Sequence, residues 1–256
     1  MSDSMTGGGV SPAVAISVGA VIKRTFSVFF ANLLPFGILA LVLHLPGLLY
    51  NYMTLDETLS GAGPSFSPGQ IVVIVLSLVL SYLLMGAVVY GTVSHMRGRQ
   101  AGLGEIVSRG LTAVLPIIVI AIAASVIMAV GFALFIIPGI FLGVIFAVVL
   151  PAYVVERPGI VGSFKRSMEL TKGNRWRVLG ILIILFVILA VIGMVIGAVT
   201  GFVAVMGTGL GLVAIVNYVI SALSSAVVAV AVAVLYHDLR IAKEGVSTEQ
   251  IAAVFD

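Results

Sequence analysis

The chain contains no cysteine. Disulfides, thiol catalysis and cysteine-ligated metals are therefore excluded. Charge is nearly as scarce: Asp, Glu, Lys and Arg make up 9% of 256 residues, against about 25% in an ordinary soluble domain. Thirteen basic and ten acidic side chains cannot cover a water-soluble surface of this size. A net charge of +3 is too small to argue for a nucleic-acid partner. What replaces charge is apolar. Hydrophobic residues reach 61%, and the mean hydropathy is +1.28. This is the composition of a polytopic membrane protein.

Four windows carry no Asp, Glu, Lys or Arg: 25–55, 58–96, 110–155 and 178–237. A membrane-crossing helix needs about 20 apolar residues, so the last two windows hold two spans each. Pro138-Gly139 and the glycine-rich segment 207–211 mark their turns. The windows predict six spans, at 34–54, 70–96, 112–136, 140–156, 178–204 and 211–237, arranged as three hairpins. Residues 1–12 read as a flexible tail without the basic start of a signal peptide. Residues 13–245 read as the membrane domain, and 246–256 as a short cytoplasmic helix.

The charges segregate. All 13 basic residues fall in the N-terminal segment, the 97–111 and 156–177 connections and the C-terminal segment. The opposite turns hold none, and the first of them carries Asp56 and Glu57. By the positive-inside rule both termini are expected in the cytoplasm.

The basic segments share a pattern. Lys23-Arg24-Thr25 precedes Asn32 as Lys165-Arg166-Ser167 precedes Asn174, and each copy leads into an apolar span. A weaker copy, 104–109, precedes the third span. Tyr90 and Tyr236 each stand shortly before a basic pair. Such partial duplication is common in membrane folds. Each copy shows helical periodicity: Val18, Ile22, Phe26 and Phe29 in the first, Leu103, Ile106 and Leu111 in the second, Ile160, Val161, Phe164 and Met168 in the third. A short helix with one apolar and one basic face suits the membrane interface, and the single tryptophan, Trp176, stands at the expected headgroup level. The competing expectation is three solvated connecting helices.

Residues 156–185, ERPGIVGSFKRSMELTKGNRWRVLGILIIL, and the tail 236–248, YHDLRIAKEGVST, resemble the bacterial membrane domain named after glycerophosphoryl diester phosphodiesterases. The Arg166–Trp176 core carries most of the likeness. The resemblance implies a multi-pass protein of the bacterial inner membrane. In that family a catalytic domain sometimes follows; here the sequence closes at Asp256 without one, and none is expected.

Candidate chemistry is sparse. His237-Asp238 invites a metal or acid–base role, but with no partner cluster it reads better as a helix-end pair. No catalytic set, cofactor or metal site is expected. His44 lies inside the first span, where an ionisable group is a functional candidate or a neutral imidazole bonded to a neighbour. Ser77 and Ser81 on the second span, and Asn217, Ser221, Ser224 and Ser225 on the sixth, form polar stripes that line a path or bond helices together. Gly193, Gly197 and Gly201 place two overlapping small-xxx-small motifs on the fifth span, expected to pack inside the molecule or against a second copy. Lys23, Arg24, Arg109, Lys165, Arg166, Lys172, Arg175 and Arg177 are the candidate ligands for anionic headgroups, with about 1 kcal/mol of attraction per basic residue near the surface. Their rival role is to set topology alone.

These readings lead to a non-enzymatic membrane protein that binds or organises phospholipid at the cytoplasmic leaflet, within a homo-oligomer or beside a membrane partner. The alternative is a small transporter or flippase for an amphipathic molecule. A transporter requires a polar cavity around His44 and the serines, which a scaffold does not.

Overall fold

The computed structural model describes residues 15–54, 67–205 and 210–245. The expected tail 1–12, the turn bearing Asp56 and Glu57, the centre of the 205–210 turn and the helix at 246–256 lie outside the described residues.

Among the described residues the regular structure is entirely helical. The elements are α1 (Val18–Ala31), α2 (Leu33–Met53), α3 (Pro68–Met96), α4 (Leu103–Leu134), α5 (Ile136–Ile145), α6 (Val149–Glu156), α7 (Ile160–Thr171), α8 (Arg175–Val205) and α9 (Leu210–Glu244). Six segments are long and apolar enough to cross a membrane: Leu33–Met53, Pro68–Met96, Leu103–Leu134, Ile136–Glu156, Arg175–Val203 and Gly211–Glu244. The chain is an all-α, multi-pass membrane protein.

Local chemistry explains the element starts. The Ser67 hydroxyl accepts from the Gln70 amide at 3.3 Å, and the Gln70 side chain accepts from the Ser67 amide at 2.8 Å. This reciprocal cap, with Pro68 in the first turn, satisfies donors that α3 would otherwise leave open. Ser17 caps α1 through Ala20.

Three expectations need correction. The segment carrying Leu103, Ile106 and Leu111 is no separate elbow, because α4 runs unbroken from Leu103 to Leu134. No proline interrupts it before Pro116, and at 1.5 Å per residue it rises roughly 48 Å, beyond a 30 Å hydrocarbon core. The turn assigned to Pro138-Gly139 lies earlier, at the extended residue Phe135 (φ −163°, ψ 157°). Pro138 sits in the first turn of α5, where its missing N–H breaks no helical bond. The fourth span is not one helix from 140 to 156 either, since a turn at 146–148 separates α5 from α6. The buried Ser167 hydroxyl donates to the freed Ile145 carbonyl at 2.7 Å, which meets the requirement that backbone groups at membrane depth be satisfied.

The core forms around α9, which packs against α1, α2, α3, α6, α7 and α8. Its buried alanines, Ala222, Ala226, Ala229 and Ala233, recur every three or four residues and let neighbouring helices come near. Lipid offers no hydrophobic drive between helices, so such small side chains carry the packing. One close approach joins α3 to α4. A Cβ on Gly110 would meet the Leu83 carbonyl oxygen and the Ala87 Cβ at 3.0 Å, and one on Gly86 would meet Ile117 at 2.9 Å. Helix α8 lies at the edge, touching α1, α5 and α9.

Candidate functional site

The basic segments separate into three kinds of environment. The first is a knot of internal charge pairs. Glu156, at the end of α6, accepts from Arg166 Nε at 2.8 and 3.0 Å and from the Tyr236 hydroxyl at 2.6 Å. Arg166 also binds Glu244, which accepts from Arg240 Nε at 2.7 Å. Burial of the Arg166 guanidinium would lower its pKa, but hydrogen bonds to Glu244 and Glu156 outweigh that and raise it. Arg24 on α1 binds Asp238 on α9. Arg24 and Arg166 occupy matching places in the sequence pattern, and both tie a short helix to α9. Both candidate headgroup ligands thus have carboxylate partners within the protein.

The second environment repeats part of the first. Tyr90 donates to Glu105 at 2.5 Å, and Arg99 reaches both at 2.6 Å. Arg109 stands over the Tyr90 ring at 5.5 Å. Arg157 departs from the knot. It has the left-handed conformation (φ 51°, ψ 46°), a geometry that costs a non-glycine residue about 1–2 kcal/mol. Its guanidinium turns away from Arg166 and donates to the Thr112 hydroxyl on α4 at 3.0 Å.

The third environment lies where α5 meets the start of α8. Ile137, Ile140, Phe141, Val144 and Leu179 line an apolar groove of about 610 Å³, with Gly173, Arg175 and Trp176 at one side. The Arg175 guanidinium stands over the Phe141 ring at 5.1 Å. Its buried Nε has no hydrogen-bond partner among the described residues. Lys172 and Arg177 flank it, exposed and without an ion pair there, as are Lys23 and Lys165. Trp176 is 85% exposed. Cations at the positive end of a helix dipole are unfavourable unless an anion joins them.

The predicted intramembrane polar residues partly converge. His44, Ser77, Ser81 and Ser221 line one cavity of about 420 Å³ with Tyr50 and Tyr218. His44 Nε2 lies 3.1 Å from Ser225 Oγ, and Nδ1 lies 3.0 Å from the Ala40 carbonyl. Asn217 is exposed and outside the cavity. The stripe on α3 does not bond helices together, because Ser77 and Ser81 donate to carbonyls of their own helix at 2.8 Å.

The glycine motif on α8 also needs correction. A Cβ on Gly193, Gly197 or Gly201 would meet nothing within 4 Å, so this face is not packed against any of the described residues. Close glycine contacts lie instead at Gly86, Gly91, Gly110, Gly131 and Gly139. His237 and Asp238 gather no further ligand: among the described residues no group of three His, Asp or Glu could hold a metal ion.

Sequence reasoning missed Glu156 as the organiser of the knot. The available signal was its position as the first charge after the empty window 110–155. Nothing in the sequence marked Phe141 as the platform for Arg175.

No curated protein and no solved structure matches the chain. A family model described as a domain of unknown function, DUF7847, matches residues 65–239, from the cap of α3 through the Arg24 partner Asp238 on α9. The chain belongs to the DUF7847 family.

Proposed function

We propose that this is a non-enzymatic integral membrane protein that binds anionic phospholipid at the cytoplasmic leaflet, with both termini in the cytoplasm and its spans paired as hairpins. One observation carries the reading: Arg175, with an unpartnered buried Nε, closes one side of an apolar groove on α5 and α8. A headgroup phosphate suits the guanidinium fork and an acyl chain suits the groove. Exposed Trp176 also lines the groove, with exposed Lys172 and Arg177 nearby in the chain.

The orientation of α7 supports an interfacial placement. Its buried face is Ser163, Ser167, Leu170 and Thr171. Ile160, Val161 and Met168 point outward, with Val161 67% exposed. A helix in water would bury those residues; one resting on a leaflet would present them. Helix α1 differs, since Val18, Ile22 and Phe26 pack against the core.

The test replaces Arg175 and Arg177 with lysine, which keeps the topogenic charge and removes the planar fork. Native mass spectrometry of the purified protein should then show several-fold less co-purifying anionic phospholipid. Unchanged retention would reduce these charges to orientation signals.

A second reading is a transporter or flippase for an amphipathic molecule. It is favoured by the gathering of His44, Ser77, Ser81 and Ser221 in one cavity. Against it, no Asp, Glu, Lys or Arg among the described residues lines that cavity. We also propose kinship with the glycerophosphoryl diester phosphodiesterase membrane domain, on the Arg166–Trp176 segment.

A further inference from the structure

A separate cleft of about 300 Å³ opens where the end of α3, the first turns of α4 and the end of α6 meet. Arg97 from α3's C-terminal cap, Arg109 from α4 and Arg157 from the end of α6 line it, with Tyr90, Ser94 and Val154. Three guanidinium groups thus converge from three elements. Like charges so placed repel unless something neutralises them.

No carboxylate among the described residues pairs directly with any of the three. Arg24, Arg99, Arg166 and Arg240 each have a carboxylate partner. Arg97, Arg109 and Arg157 form no ion pair. Arg157 bonds only the neutral Thr112 hydroxyl, and Arg109 faces the Tyr90 ring. The nearby carboxylate, Glu105, acts on Arg109 through space, but its bonds go to Tyr90 and Arg99 and it does not line the cleft. Ser94 is 7% exposed, and its hydroxyl is free of hydrogen bonds in the described structure, leaving it to donate into the cleft.

We propose that this cleft binds a phosphate-bearing anion. Guanidinium forks match phosphate oxygens bidentately, the serine supplies a neutral donor, and the volume admits a phosphate with a small substituent. The chemistry is shared by two sources, a soluble phosphate compound and a phospholipid headgroup. The site is distinct from the Arg175 groove on α5 and α8, so either can fail without the other.

The full chain in detergent decides the matter. In one arm inorganic phosphate is titrated against chloride at equal ionic strength, and the thermal midpoint is followed. In the other, the protein is incorporated into phosphatidylcholine vesicles with or without phosphatidic acid, and retained phosphatidic acid is measured by mass spectrometry after extraction in mild detergent. Binding in the first arm identifies a soluble ligand, and binding in the second alone identifies a headgroup. In either case Arg97→Gln with Arg157→Gln should weaken it at least about tenfold, the scale of one lost charge-assisted hydrogen bond. Lys243→Gln, an exposed cation elsewhere, should leave it intact. Should the double variant fail to fold, Arg97→Glu provides the second measurement: a tethered carboxylate in the cleft should raise the midpoint without ligand and abolish the response to the anion. No response in either arm, or a response that persists in the variants, overturns the proposal.

Discussion

Tyr236 on α9 donates its hydroxyl to Glu156 at the end of α6, 2.6 Å away, and this bond joins the most buried spanning helix to the end of the fourth span. Glu156 simultaneously holds Arg166 of α7, so one carboxylate fixes three elements. Tyr90 and Glu105 repeat the tyrosine–carboxylate bond at 2.5 Å where α3 meets α4. In each pair the tyrosine stands near a helix end.

Glu156→Gln removes the charge that faces Arg166 while keeping the shape. Both side chains are about one-fifth exposed (19% and 20%), so water softens the loss. The expected cost is about 1–3 kcal/mol, and Tyr236→Phe should cost about 1 kcal/mol by the same argument. Thermal unfolding in detergent measures both. An unshifted midpoint for Glu156→Gln would show that the knot contributes no stability.

Gly110→Ala should be more damaging than a far larger change on α8. The added methyl meets the Leu83 carbonyl oxygen at 3.0 Å, a rigid neighbour, and overpacking of this kind costs about 1–3 kcal/mol. Gly197→Leu should leave the stability of the isolated chain unchanged, because nothing stands within 4 Å of that position. A drop in oligomer mass for Gly197→Leu, with stability retained, would place the α8 face between copies.

Ser225→Ala tests the His44 contact. It removes the hydroxyl 3.1 Å from His44 Nε2, and cross-helix hydrogen bonds in membranes average about 0.6 kcal/mol. Ser77→Ala and Ser81→Ala should cost less, since their hydroxyls bond only their own helix. Equal losses for the three variants would contradict this ordering.

Topology is checked by reporter fusions. Fusions at 100, 170 and 250 should read cytoplasmic and one after 62 should read external, because all the basic residues are expected on one side. A cytoplasmic signal at 62 would overturn the orientation.

The amino-acid sequence by itself determined the class, the six apolar segments and their approximate limits. Hydropathy is a local property: a run such as 178–204 is apolar whatever it touches, and its length alone suits a bilayer. The segregation of basic residues was legible for the same reason. The periodic faces of α1 and α7 were legible too, but not their destinations, since α1 turns its apolar face to the core, while α7 presents Ile160, Val161 and Met168 outward and packs Phe164 on Phe146. The start of α4 and the break at 146–148 depended on weak local signals, and Ser167, more than twenty positions on in the chain, helps to satisfy that break. Above all, tertiary structure decided which cations are neutralised. Arg166 and Arg177 look alike in sequence, yet Arg166 meets Glu156 and Glu244 while Arg177 stands exposed. The partners come from distant segments, as Arg24 and Asp238 do, and only the packing of α1, α6 and α7 around α9 brings their charges together.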